Sequence, residues 1–280
     1  MGDEGLFGPR TVTWHLHADP AMWVAGVCSL FLQALHPRAV AAVVQNSRFR
    51  DDPLGRLQRT GNFVATTTYG TTAEAEAVAS RVRAVHRALR GTDRETGEEF
   101  RLDEPEPLMW VHCAEVASFA SVVRRAGFPL TIAQLDQYFD EQRRSAALVG
   151  LDPATVPGST RAMAAYFARV RPQLRRTEDS DLIYRFLHLP LSSRWLLPVN
   201  LGYLPLGHLA YSVLPGWARR LHGRPAYPPL VVEAGLRAFR AAGLAVPDQL
   251  RFRYPGDHVQ RALDRLGEAA APAPTAPTGR

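Results

Sequence analysis

Three polar side chains in the first quarter of the chain have the types and spacing to do chemistry together. Arg56, Arg59 and Thr60 stand at i, i+3 and i+4 in GRLQRTG, which stacks two guanidinium groups and a hydroxyl on one helix face. Further on, ASRVRAVHRALRG offers one histidine, His86, on an amphipathic pattern: Val78, Val82, Val85 and Leu89 recur at i, i+4, i+7 and i+11. At the helical period His86 projects about 70° from the centre of that stripe, on its shoulder, where a side chain reaches a cavity between helices. Two cations and a hydroxyl opposite one imidazole suit an anion, or an iron cofactor and its oxygen. The plainer alternative is a partly buried histidine bonded to a carbonyl.

A second pair sits on a later helix. Pro105 and Pro107 introduce a helix over 108–126 with an apolar stripe of Leu108, Val111, Phe119, Val122 and Val123. His112 and Glu115 fall inside that stripe, one turn apart. A buried imidazole or carboxyl must be paired or used, because either is costly alone. The pair therefore bonds to itself or to backbone, holds a metal, or backs a cofactor.

The remaining chemistry narrows by exclusion. The sequence contains no GxGxxG or P-loop, no CxxC and no GxSxG elbow, which removes the common nucleotide, zinc and serine-hydrolase motifs. All basic residues are arginine, giving a formal charge of +6. With no aromatic-interleaved basic stripe, that balance points to a GC-rich genome and not to a nucleic-acid partner. Cys28 and Cys113 lie in apolar helical contexts and are expected as reduced, buried thiols. The start, MGDEGLFGPR, is acidic and glycine-rich, unlike a signal peptide. The apolar run 21–32 is shorter than the roughly 20 residues a bilayer span takes. A cytoplasmic protein without a transmembrane segment is expected; oligomeric state is not legible.

The elements that must position these groups are helical, so the fold class reads as all-α. One domain is expected over 1–265, with an Ala/Pro-rich, disordered tail over 266–280. Asp19-Pro20 opens an apolar helix over 20–35, and His36-Pro37 breaks it. A short helix over 38–47 follows. Asp51, Asp52 and Pro53 open the helix carrying Arg56, which is hard to extend past Gly61; the run Phe63 to Tyr69 fits buried helix or strand. Thr71 or Thr72 caps the His86 helix and Gly91 suits its C′ position. Residues 92–104 read as a charged loop. Helices follow over 131–149, 159–176, 180–189 and 225–243. Between Phe186 and Trp217 the apolar, proline-punctuated chain suits short buried helices lining a core or an apolar entrance.

The phrases LFLQALHPRAVAAVVQNSRFRDDPLGRLQRTGNFVATTTYG, RVRAVHRALRG and LDEPEPLMWVHCAEVASF, and more loosely LPGWARRLHG, resemble the family of MpaB-type oxygenases and rubber oxygenases over roughly residues 15–255. The resemblance implies a single-domain helical bundle with a globin-related core and additional helices, binding haem b and using dioxygen on an apolar, isoprenoid- or lipid-like substrate. It makes His86 the axial iron ligand and GRLQRT the distal helix. Arg56 and Thr60 match the family spacing there. Arg59 stands where the rubber oxygenase has a lysine able to cap the iron, and arginine is a poor metal ligand. An open or water-bound sixth position is implied, with Arg59 holding a propionate or polarising oxygen. The family's glutamate upstream of the distal helix has no counterpart, since no Glu lies between Leu6 and Thr71. His112, nearer the centre of its stripe, is the alternative axial ligand. Two other readings stay open: a non-catalytic haem or apolar-ligand binding protein, and a non-haem metal enzyme using His112 and Glu115.

Overall fold

Proline and threonine starts divide the apolar runs into the helices of a computed structural model. It describes residues 2–47, 49, 51–191, 194–253 and 255–277, with the backbone alone at 194. In chain order the helices are α1 (Val12–Leu16), α2 (Met22–Gln33), α3 (Pro37–Asn46), α4 (Pro53–Tyr69) and α5 (Thr72–Ala88). A hairpin of β1 (Arg90–Thr92) and β2 (Glu99–Arg101) leads to α6 (Pro105–Arg125). Then come α7 (Ile132–Glu141), α8 (Arg143–Leu148), α9 (Thr160–Val170), α10 (Glu178–His188) and α11 (Leu197–Ser212). The last are α12 (Gly216–His222), α13 (Pro229–Leu244), α14 (Asp248–Arg251) and α15 (His258–Leu266). The fold is all-α.

The core is α2 laid along α6, with α10, α11 and α13 packed around them. Val24, Cys28, Phe31 and Leu32 from α2 share one apolar cluster with Trp110, Cys113, Ala114 and Val123 from α6. Both cysteines are free and buried, and burial pushes each thiol up to about 12, so they stay protonated. A second cluster joins Trp14 of α1 with Ala65 and Tyr69 of α4 and Val259, Ala262 and Leu263 of α15. Among the described residues no single helix is long and apolar enough to cross a membrane; α2 and α3 pass that test only together, across a 109° bend.

Several local expectations change. The helix of Arg56 runs through Gly61 to Tyr69, because Ala65, Thr67, Thr68 and Tyr69 are buried and tertiary packing outweighs weak propensity. Gly91 is no helix C′: α5 ends at Leu89 in extended backbone, and Gly91 lies in β1, where a Cβ would come within 2.5 Å of the Phe100 ring. The charged loop over 92–104 contains that hairpin, tied down by Arg38, which pairs with Asp93, Glu98 and Glu104. The helix expected over 131–149 breaks at Gln142 into α7 and α8. The segment of supposed short helices holds a continuous α11 despite Pro205. Its first half is open, with Leu197, Val199 and Leu201 exposed; its second half, Leu209, Ala210 and Tyr211, is core.

Residues 267–277, expected to lack structure, lie against the body. Trp14 Nε1 donates to the Ala270 carbonyl at 2.9 Å, Arg240 to that of Pro274 at 2.8 Å, and Gln134 to that of Pro277 at 3.1 Å. Residues 278–280 lie outside the described chain.

Candidate functional site

α4 and α5 form one wall of the site and α6 the other. The α5 cap is built as the sequence requires: Thr71 accepts from the Glu74 amide while the Glu74 carboxylate accepts from the Thr71 amide. On α4, Asp52 caps Gly55, and Arg59 turns back to that same carboxylate at 3.0 Å, both largely exposed. Thr60 donates to the Arg56 carbonyl at 3.1 Å. The expected triad is therefore divided: Arg59 and Thr60 are engaged on their own helix at the surface.

Arg56 is different. Its backbone is bonded within α4, but among the described residues its guanidinium has no hydrogen bond or ion pair. Arg56 is exposed by accessible surface, although neighbouring protein lowers its pKa, with Arg59 adding to the effect. A guanidinium with no carboxylate partner is free to meet an anion.

His86 lies within electrostatic reach of it. Desolvation lowers the His86 pKa first, Asp103 works against that, and Arg56 with it. The ring is half-buried and Nδ1 is buried without a partner, so the open edge is the Nε2 side. Around it the apolar stripe of α5 is uncovered: Val78, Val82 and Leu89 are half-buried and Val85 is 52% exposed, while only Ala75 and Ala79 are sealed. An amphipathic face that its own protein leaves unfilled is a wall awaiting an apolar occupant.

On the facing wall, Leu108, Val111, His112 and Glu115 are all half-accessible and fall within an arc of about 100°. Desolvation nonetheless lowers His112 to about 4 and raises Glu115 to about 7. Groups this deep that still keep surface face an internal cavity. α6 rests on α2, α3, α7 and α13, whereas α4 rests on α1, α5 and α15. His112 Nε2 is buried without a partner, and Glu115 makes no hydrogen bond among the described residues. Those residues include no cluster of three groups able to hold a metal, so His112 and Glu115 have no third ligand among them.

The deep end is closed by His17, which no motif or stripe in the sequence singles out. Thr68 on α4 donates to the Val64 carbonyl at 2.7 Å, so its single proton is committed and it accepts from His17 Nδ1 at 2.8 Å. That fixes the tautomer, leaving Nε2 to accept from the Tyr138 hydroxyl at 3.2 Å. Phe119, one turn beyond Glu115, meets the His17 ring edge-on at 5.6 Å. Burial lowers His17 to about 3, so it is neutral. The signal was present in its position, three residues after Trp14, but only the partner helices reveal it.

No curated protein matches the chain. Among solved structures it is similar to "Structure of Latex Clearing Protein LCP in the closed state", at 15% identity and a TM-score of 0.50, over 79% of this chain and 70% of that one. That likeness concerns the fold. Residues 14–246 match the sequence profile of "ER-bound oxygenase mpaB/B'/Rubber oxygenase, catalytic domain". On that match, which takes in α4, α5, α6 and the cavity between them, the chain belongs to this oxygenase family.

Proposed function

We propose that the chain is a haem b-dependent oxygenase that uses dioxygen on a small apolar substrate of isoprenoid or lipid-like character. One observation carries the reading: His86, with its Nε2 side open and Nδ1 buried, stands under an uncovered valine stripe within reach of the unpaired Arg56. The residues suit haem: His86 would hold the iron through Nε2, and the open apolar stripe of α5 would lie against the macrocycle. Haem, when bound, supplies the one-electron and dioxygen chemistry. The chain supplies the rest. His86, kept neutral by burial, offers its lone pair at Nε2. Arg56, with no carboxylate partner, would supply positive charge beside that site. Arg59 and Thr60, one turn along, are placed to join it when Arg59 releases Asp52. The exposed apolar start of α11 offers a lip for an apolar substrate.

The test is the visible spectrum of the purified protein beside His86→Ala and His112→Ala. A Soret band lost only in the His86 variant supports the assignment. Loss only in the His112 variant moves the ligand to α6. No Soret band after haem is supplied overturns the reading.

A further inference from the structure

The α6 wall holds two groups that the haem and dioxygen reading does not use. His112 Nε2 is buried without a partner, Glu115 one turn on makes no hydrogen bond among the described residues, and the two share one face of one helix. Everything else on that face is apolar, namely Leu108, Val111 and Phe119, and Val64 of α4 packs against the same cluster as Val111 and Phe119. Buried polar groups in folded proteins are paired in the great majority of cases, so the missing partner is supplied from outside the chain.

The neighbours say what that partner is. His17 and Tyr138 close the end of the cavity but are bonded to each other, and the Tyr138 hydroxyl points its proton at His17. Glu141 beyond them is saturated by the amides of Val12 and Thr13 and by the Thr13 hydroxyl. No arginine acts on Glu115; burial is the only cause of its shift. A carboxylate ligand would thus meet a second carboxyl with no counter-cation. An ammonium would drive Glu115 to ionise in the interior, with both charges desolvated. A neutral hydroxyl meets neither penalty, since it donates one proton and accepts others, which a neutral imidazole and a carboxyl can both match.

We propose that His112 and Glu115 form the head-group subsite for a hydroxyl-bearing apolar ligand, an isoprenoid or aliphatic alcohol whose chain lies along Leu108, Val111, Phe119 and Val64. The proposal rests on the cavity being the substrate site of the oxygenase reading. It names the polar end that this substrate carries.

The experiment is a calorimetric titration of the purified full chain at neutral pH with four probes on one skeleton: geraniol, myrcene, geranylamine and geranic acid. Geraniol is expected to bind at least about tenfold tighter than myrcene, the difference one neutral hydrogen-bonded head group makes in a site built for it. Glu115→Gln, which keeps a donor and an acceptor, is expected to retain that preference. His112→Leu is expected to bring geraniol down to myrcene while leaving myrcene binding in place, which also shows that the variant is folded. Equal binding of geraniol and myrcene, tightest binding of the amine or the acid, no binding of any probe, or an unchanged preference in His112→Leu each overturns the proposal. A Soret spectrum of the same samples separates the two readings. A haem band without an alcohol preference removes the head-group subsite alone, and an alcohol preference without a haem band removes the haem assignment alone.

Discussion

The α2–α6 core and the α4–α5 wall are built from helices of similar propensity and end in opposite states. In α2, seven residues are buried and no side chain is ionisable apart from one protonated thiol. In α5, only two alanines are buried, valines stand open, and a histidine nitrogen lies orphaned. Their patterns differ, α2 carrying no charged residue and α5 being amphipathic, yet even the apolar stripe of α5 stays partly open. The difference also lies in what is opposite: α2 lies along α6, whereas α5 is held by α4 and α8 with Val85 left exposed. Where packing rules hold, the chain is stabilising itself; where they fail in one place together, it is leaving room for something else.

That contrast can be broken by substitution. Phe31→Ala in the sealed core should cost about 3–5 kcal/mol by urea denaturation, whereas Val82→Ala on the open wall should cost less than about 1 kcal/mol. Equal losses would mean that the two regions are packed alike. Glu141→Ala should cost about 3 kcal/mol, since it strands the Val12 and Thr13 amides that the carboxylate accepts from at 3.0 and 2.8 Å. A thermal scan of that variant shows whether α1 is anchored as tightly as the core.

Glu115 has the opposite sign. Its folded pKa is raised from 4.5 to about 7, so the folded state holds the proton more tightly and stability is lost as pH rises from about 4.5 through about 7. Glu115→Leu should remove that loss and gain on the order of 2 kcal/mol at pH 8, shrinking towards nothing at pH 4. His112 runs the other way: lowered from 6.5 to about 4, it makes stability fall as pH drops from 6.5 towards 4, and His112→Leu should flatten that limb. Denaturation midpoints across pH for the two variants separate the effects, and parallel curves for wild type and Glu115→Leu would put Glu115 in water. Smallest of all, Arg59→Ala should shift stability by less than about 0.5 kcal/mol, because its pair with Asp52 is exposed.

Much of the fold was legible because the chain announces it. Thr71 with Glu74, His36 before Pro37, and Pro105 at the start of α6 are local signals, and local signals sufficed. What escaped was non-local. α4 continues past Gly61 because Tyr69 and Thr68 find partners on α1, with Tyr69 donating to the Trp14 carbonyl at 2.9 Å and Thr68 accepting from His17. Gly91 serves the Phe100 ring across a hairpin, which no helix-stop rule describes. The half-buried positions of His86, His112 and Glu115 beside or within apolar stripes were readable from the sequence. Spacing alone put Arg56, Arg59 and Thr60 together, and the Asp52 carboxylate, on the same helix, took Arg59 away. His17 needed α4 and α7 to be seen at all.

The packed end of the chain also bears on how the molecule is made. Trp14, near the beginning, gives its indole proton to Ala270, and the Ala273 amide donates to His15 Nδ1 at 2.9 Å. These partners are separated by 256 and 258 residues. At about 5–20 residues per second of synthesis, the first helix waits on the order of 10–50 s for the atoms that satisfy it. Both clusters draw on that stretch, Ala276 in the first and Ala270 in the second, so each is completed only once it has been made, across the longest loops in the fold.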